Sequence, residues 1–266
     1  MKIYISADIE GTAGITNWDE TEKSKADYGK FAEQMNKEVR AACDGAIKAG
    51  AKEILIKDAH DSGRNLDAGL LPKNVNIIRG WAGHPFCMVQ ELDSSFDAVL
   101  FTGYHSRGGS NENPLAHSMN PFEVDYIKIN GKLASEFIIH AYAAAYVGVP
   151  CAFLSGDEGI CEEVKAINEN IKTVAALKGV GGSTISIHPD LAAEKIEKEV
   201  EEALKGDLSL CKLDLPESFE LEIGYTVHTK AYRFSFYPGA RLISPKAISL
   251  NTKDYFEVLR AIMFLT

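Results

Sequence analysis

The sequence is poor in cysteine, and none of its cysteines is spaced to work with another. Cys43, Cys87, Cys151, Cys161 and Cys211 are odd in number, scattered, and never form a CxxC pair. That excludes a disulfide framework and a thiolate zinc site, and reduced thiols are expected. Basic clusters are missing too. Against 38 Asp+Glu there are 28 Lys+Arg, a formal net charge of -10, with no Lys- or Arg-rich stripe, so a nucleic-acid backbone binder is not expected. Long apolar runs are absent. The longest, around Phe137 to Val147, carries His140 and is too short to span a bilayer, so no membrane partner is expected. No GxGxxG follows the first apolar run, and GVGGS at 179–183 comes late, which argues against a dinucleotide site. Repeats, low-complexity tracts and obvious linkers are also lacking. A first strand starting at Lys2 leaves no room for a signal peptide, and a cytoplasmic protein is expected.

What is present is an ordinary globular composition: 266 residues, 45% hydrophobic and 25% charged, enough for one large domain or two lobes. KIYISAD (2–8), EILIKD (53–58), VNIIRG (75–80), DAVLFTGYH (97–105) and CAFLSGD (151–157) read as strands. A helix is expected from Tyr28 to Ala49, with Phe31, Met35, Val39, Ala42 and Ile47 near helical spacing and Gly50 ending it. FCMVQEL looks helical, Asn130-Gly131 signals a hairpin, and SEFIIHAYAAAYVG reads as a helix. Further helices are expected at Glu162–Asn170, Pro189–Leu204 and Thr252–Phe264, with a strand-rich stretch from Phe219 to Ser249. The alternation predicts an α/β fold, a mostly parallel sheet flanked by helices, with a second, smaller α+β lobe. The expected division is 1–165 for the α/β lobe and 166–266 for the other.

In open α/β sheets ligands bind beyond the carboxyl ends of the strands. The predicted strands end in Asp8-Ile-Glu10, Asp58-Ala-His60, Tyr104-His105 and Asp157-Glu158, so acids and imidazoles converge on one edge. Asp8 and Glu10, two residues apart, share a face of an extended chain. Bare, they repel each other, and a divalent cation removes that cost. Gly11 lets the backbone turn away nearby, and Gly103 permits close approach before His105.

Each signal also has an ordinary reading. The acid pair can begin a solvated loop, His60 can be a loop residue, and His105 a hydrogen-bonded core histidine. Glu136 after Ser135 suits a capped helix start, and His140 one turn later is a partner or a rival ligand. The long polar segment 105–125 holds His117 between Leu115 and Met119, an oriented imidazole in a loop of functional length. His84, His188 and His228 stay structural. Together, carboxylates and imidazoles without cysteine suit zinc or manganese in an open catalytic site.

The ordered set SADIEG, DAHDSGRN, FTGYHSRGG, LAHSMN, NGKLASE and SGDE resembles the D-aminopeptidase family of binuclear zinc peptidases, associated in bacteria with dipeptide-transport operons. The resemblance covers nearly the whole chain. It implies two zinc ions per chain held by Asp8, Glu10, His60, His105 and Glu136, with one carboxylate, Asp8, shared, and His117 as the catalytic histidine. It also implies hydrolysis of N-terminal D-amino acids from short peptides, and a ring-like homodecamer enclosing a channel. Ser118 stands where the family has threonine, and His140 is an addition. Three carboxylates and two neutral imidazoles would set -3 against +4, leaving room for one hydroxide. Asp157 is a candidate anchor for the substrate ammonium. Other classes are a two-metal hydrolase of another amide or a phosphoester, kept open by Arg64 and Arg107, and a non-catalytic metal- or peptide-binding protein.

Overall fold

A computed structural model describes residues 1–266. Its larger sheet takes strands from both halves of the chain: β1 (Lys2–Ala7), β2 (Glu53–Asp58), β3 (Val75–Ile78), β4 (Ala98–Tyr104), β7 (Cys151–Asp157), β8 (Lys172–Val180) and β9 (Ser183–Ser186). They lie in the order β3-β2-β1-β4-β7-β8-β9, parallel except for the β8–β9 edge. A smaller antiparallel sheet contains β5 (Val124–Ile129), β6 (Lys132–Leu133), β10 (Phe219–Tyr225), β11 (Ala240–Ser244) and β12 (Ala247–Thr252), in the order β11-β12-β10-β5-β6. The expected α/β class holds. The two sheets interleave along the chain, however. β8 and β9 complete the large sheet after residue 165, and the β5–β6 hairpin before it joins β10, so no sheet ends at the expected division.

The central strands are apolar on both faces because both are covered. Ile3 and Ile5 of β1 pack with Val39 and Ala42 of α1 (Tyr28–Lys48) and Val200 of α4 (Pro189–Lys205). Tyr4 points the other way, into a core shared with Phe137 of α2 (Glu136–Tyr146), Val258 of α6 (Tyr255–Leu265) and Ile223 of β10. Local signals set the boundaries. Ser135 Oγ accepts the Ile138 N–H and caps α2, and Asp157 accepts the Ile160 N–H and caps α3 (Glu158–Ile167). That helix therefore starts at the end of β7, earlier than expected. Asn130 and Gly131 both take positive φ, 52° and 76°, as a two-residue hairpin turn requires.

FCMVQEL is not a helix. Cys87 and Glu91 have φ of 43° and 66°, and only a 3-10 turn, Cys87–Val89, forms between them. A short helix, α5 (His228–Phe234), interrupts the strand-rich tail. No helix is long and apolar enough to cross a membrane.

The chain runs outward from β1 to β2 and β3, then returns to β4 on the other side of β1. This reversal opens a crevice beyond the carboxyl ends of β1 and β4, where Asp8, Glu10 and His105 leave the sheet. Glycine makes the crevice possible. A Cβ on Gly11 would lie 1.8 Å from the Tyr104 carbonyl oxygen, and one on Gly103, at φ +68°, would lie 2.2 Å from that of Asp8.

Candidate metal centre

Five side chains from four parts of the chain meet in the crevice, nearly sealed from solvent. Asp8 and Glu10 follow β1, His60 follows β2, His105 follows β4 and Glu136 opens α2. His60 Nδ1 lies 3.3 Å from Asp8 Oδ1 and 3.2 Å from Glu10 Oε1. His105 Nε2 lies 3.6 Å from Asp8 Oδ2 and 3.5 Å from Glu136 Oε2. Ligand atoms each about 2.1 Å from one tetrahedral ion sit about 3.4 Å apart, so these separations fit. Asp8 Oδ2, Glu10 Oε2 and His105 Nε2 are buried with no hydrogen-bond partner. Orphaned polar atoms are costly in a folded core, and a shared cation is the partner their chemistry suits. Asp8, Glu10 and His60 form one group of ligand atoms and Asp8, His105 and Glu136 another, with Asp8 in both; Glu10, His105 and His117 form a third.

The ring orientations are fixed from behind. His60 Nε2 faces the Thr21 carbonyl at 3.0 Å, His105 Nδ1 the Ser106 carbonyl at 2.9 Å, and His117 Nδ1 the Leu115 carbonyl at 2.8 Å. A carbonyl only accepts, so each of these nitrogens carries the proton and the opposite nitrogen turns inward. Such carbonyl anchors are how metal-binding histidines are held. Thr21 is placed by the 3-10 turn Trp18–Glu20, where Asn17 accepts the Asp19 N–H and Glu20 accepts the N–H groups of Thr16 and Asn17. Glu38 of α1 accepts the Ala13 N–H and steadies the loop after Glu10. Glu136 Oε1 accepts the Met119 N–H at 2.6 Å, tying the His117 loop to α2.

The electrostatics are those of crowded acids using protons in place of cations. Burial and then Glu10 push Asp8 well above the usual carboxylate range. Burial also pushes Glu10 up, but His60, His105 and His117 outweigh it and hold it well below. Glu136 is likewise raised by burial and overruled, chiefly by His105, ending at about 2. Burial disfavours charge on His60 and His105, yet Glu10 with Asp8, and Glu136, lift them well above the ordinary imidazole value. His117 goes the other way, lowered by burial and by His105. Its ring stacks on His105 with centroids 4.1 Å apart and meets Trp18 edge-on at 5.3 Å. Beside this cluster lies a cleft of about 930 Å³, walled by Trp18, Met88, Trp81 and Phe122.

The D-aminopeptidase family matches residues 1–264. The chain belongs to that family. A D-aminopeptidase of Bacillus subtilis is 28% identical over 100% of this chain and 97% of its own length. The solved structure of Zn-dependent D-aminopeptidase DppA from Bacillus subtilis, described as a self-compartmentalizing protease, superposes with a TM-score of 0.92. Its identity is 26%, covering 100% of this chain and 96% of DppA.

Within this D-aminopeptidase-family site, other sequence candidates take different places. Asp157 is buried, and its carboxylate accepts from the Ser106 N–H and Oγ, Asn113 Nδ2 and the Ile160 N–H. It ties the His105 loop to α3 and is not free to anchor an ammonium. Asp58 clamps its own loop through Asn65 and Leu66. Glu158 pairs with Lys178, and Arg107 with Glu163. His140 lies outside the metal-ligand groups. Its Nδ1–H donates to the Glu136 carbonyl at 2.7 Å, and burial pulls its pKa to about 4. Sequence reasoning missed Thr21, Trp18, Trp81 and Phe122. Asn-x-x-Glu at 17–20 does signal a capped turn, but nothing local says that the turn faces His60.

Proposed function

We propose that this chain is a zinc-dependent aminopeptidase that removes an N-terminal D-amino acid from short peptides. The observation that carries the reading is the buried convergence of Asp8, Glu10, His60, His105 and Glu136 with unpartnered atoms turned inward. Family membership and the zinc dependence of the Bacillus relative support it. Asp8, Glu10 and His60 would hold one ion, and Asp8, His105 and Glu136 a second, Asp8 being shared. Bound dications supply Lewis acidity toward the scissile carbonyl and ease the ionisation of water.

The chain's own residues then orient groups and move protons. His117 Nδ1–H is anchored on the Leu115 carbonyl, 3.5 Å separates Nε2 from Glu136 Oε1, and burial favours the neutral ring. Nε2 takes a proton from the attacking water and delivers it to the leaving nitrogen as the C–N bond breaks. The products are a free amino acid and a peptide one residue shorter. Stacking on His105 and the edge of Trp18 hold the ring plane while the proton moves.

Hydrolysis of D-Ala and L-Ala dipeptides by the zinc-loaded chain, with and without chelator, tests this. Expected are D-preference, loss on chelation, and a fall of about 10²–10⁴-fold in kcat for His117→Ala with bound zinc unchanged. Preference for L-dipeptides, or full turnover by His117→Ala, contradicts it. We extend the assembly of the self-compartmentalizing relative to this chain as a homo-oligomer, a decamer by family resemblance. Sedimentation showing a monomer at micromolar concentration would refute that.

A further inference from the structure

The cleft is unbalanced in charge, and its cations lie together. Among its walls Asp8, Glu10, Glu22, Asp61 and Glu136 are acids, while Lys23 and Arg64 are the only Lys or Arg side chains. Lys23 Nζ donates to the Arg64 carbonyl at 3.0 Å, which gathers both at one place on the wall. The Arg64 guanidinium enters no ion pair, as is also true of Arg79, Arg233 and Arg241, but Arg64 alone of these four lines the cleft.

Arg64 also stands on a stiff loop. Asp58 accepts the N–H groups of Asn65 and Leu66, at 2.5 and 2.8 Å, and Asn65 Nδ2 reaches the His60 carbonyl at 2.7 Å. Gly63 makes the tight turn at φ +63°, where a Cβ would lie 2.9 Å from the Gly80 nitrogen. His60 and Arg64 are four residues apart, so their Cα atoms are separated by less than about 14 Å, and the turn shortens this further. The loop that brings His60 to the metal centre thus also carries Arg64, an exposed side chain on the wall of the same cleft.

A short peptide is itself a dipole, with an ammonium at one end and a carboxylate at the other. We propose that Arg64, with Lys23 beside it, receives the C-terminal carboxylate of the substrate and so selects short peptides with a free C-terminus. The proposal rests on the aminopeptidase reading. A guanidinium suits the role because its planar fork pairs two N–H donors with two carboxylate oxygens. Long peptides and C-terminal amides would leave the guanidinium without its anion in a cleft otherwise rich in acids.

The test is steady-state hydrolysis by the zinc-loaded full chain of a di- or tripeptide and its C-terminal amide, for wild type, Arg64→Ala and Arg64→Lys. Expected is a wild-type preference for the free acid of roughly 10–100-fold in kcat/KM, the worth of a hydrogen-bonded charge pair, expressed in KM. Arg64→Ala should collapse that ratio toward one, and Arg64→Lys should restore part of it. A second readout, binding of a non-hydrolysed D-dipeptide analogue by calorimetry, should weaken in Arg64→Ala by the same factor. Wild-type hydrolysis of acid and amide at equal rates would overturn this proposal alone, as would an unchanged ratio in Arg64→Ala. No turnover of either peptide would remove the aminopeptidase reading and this proposal with it.

Discussion

Three imidazoles at the site have one nitrogen fixed by a backbone carbonyl, of Thr21, Ser106 and Leu115. Residue chemistry therefore decides which atom faces inward, before any ion arrives. His140 shows the opposite use of the same side chain. It is completely buried, and its pKa of about 4 means that the folded chain keeps the ring neutral. As pH falls from about 6.5, the unfolded chain takes up the proton first. Stability from this group is thus intact above pH 6.5 and lost progressively down to about pH 4, roughly 3 kcal/mol in all at 1.36 kcal/mol per pKa unit. Denaturant melts of wild type and His140→Leu should diverge by about that amount between pH 7 and 4, the variant losing less stability as pH falls; parallel pH curves would remove His140 as a cause. The two histidines also differ in how legible they were. His105 stood out through the apolar run before it, though a core histidine fitted that run equally well, whereas the identity of His140 as a buried helix residue depends on which way α2 turns.

At the scale of elements, the strands that carry the site were the readable ones. β1, β2, β4 and β7 are largely apolar runs that end in an acid or are followed at once by an acid or histidine, because the sheet buries both faces and sends its charged site residues out at the carboxyl edge. β8 was not readable. KTVAALKGV mixes lysine, alanine and glycine, weak strand formers, and is strand because β7 pairs with it. The turn at Cys87 hid for a different reason, since positive φ at a cysteine has no sequence mark. Strand spacing at the crevice depends on Gly11, whose place a side chain would fill. Gly11→Ala puts a methyl 1.8 Å from the Tyr104 carbonyl oxygen, forcing β1 and β4 apart. Thermal unfolding should show a loss of about 3 kcal/mol or more, together with weakened zinc binding. A variant melting within a degree of wild type would show that the crevice has slack.

Over the whole molecule, the sequence motifs were far apart, and only topology makes them one site. The reversal between β1 and β4 gathers residues 8, 10, 60, 105 and 136 from nearly half the chain. Linear order could not show that the β5–β6 hairpin joins the C-terminal strands, because that pairing spans about ninety residues, Ile129 opposite Leu221. The same packing crowds acids together and leaves Asp8 Oδ2 and Glu10 Oε2 without hydrogen-bond partners, a place that suits a bound cation. Zinc content after dialysis, measured for wild type and for Asp8→Asn, tests this most directly. Two ions per wild-type chain are expected, and fewer than one in the variant, which lacks the shared carboxylate. A wild-type chain that retains no zinc, or an Asp8→Asn chain that retains both ions, would contradict it.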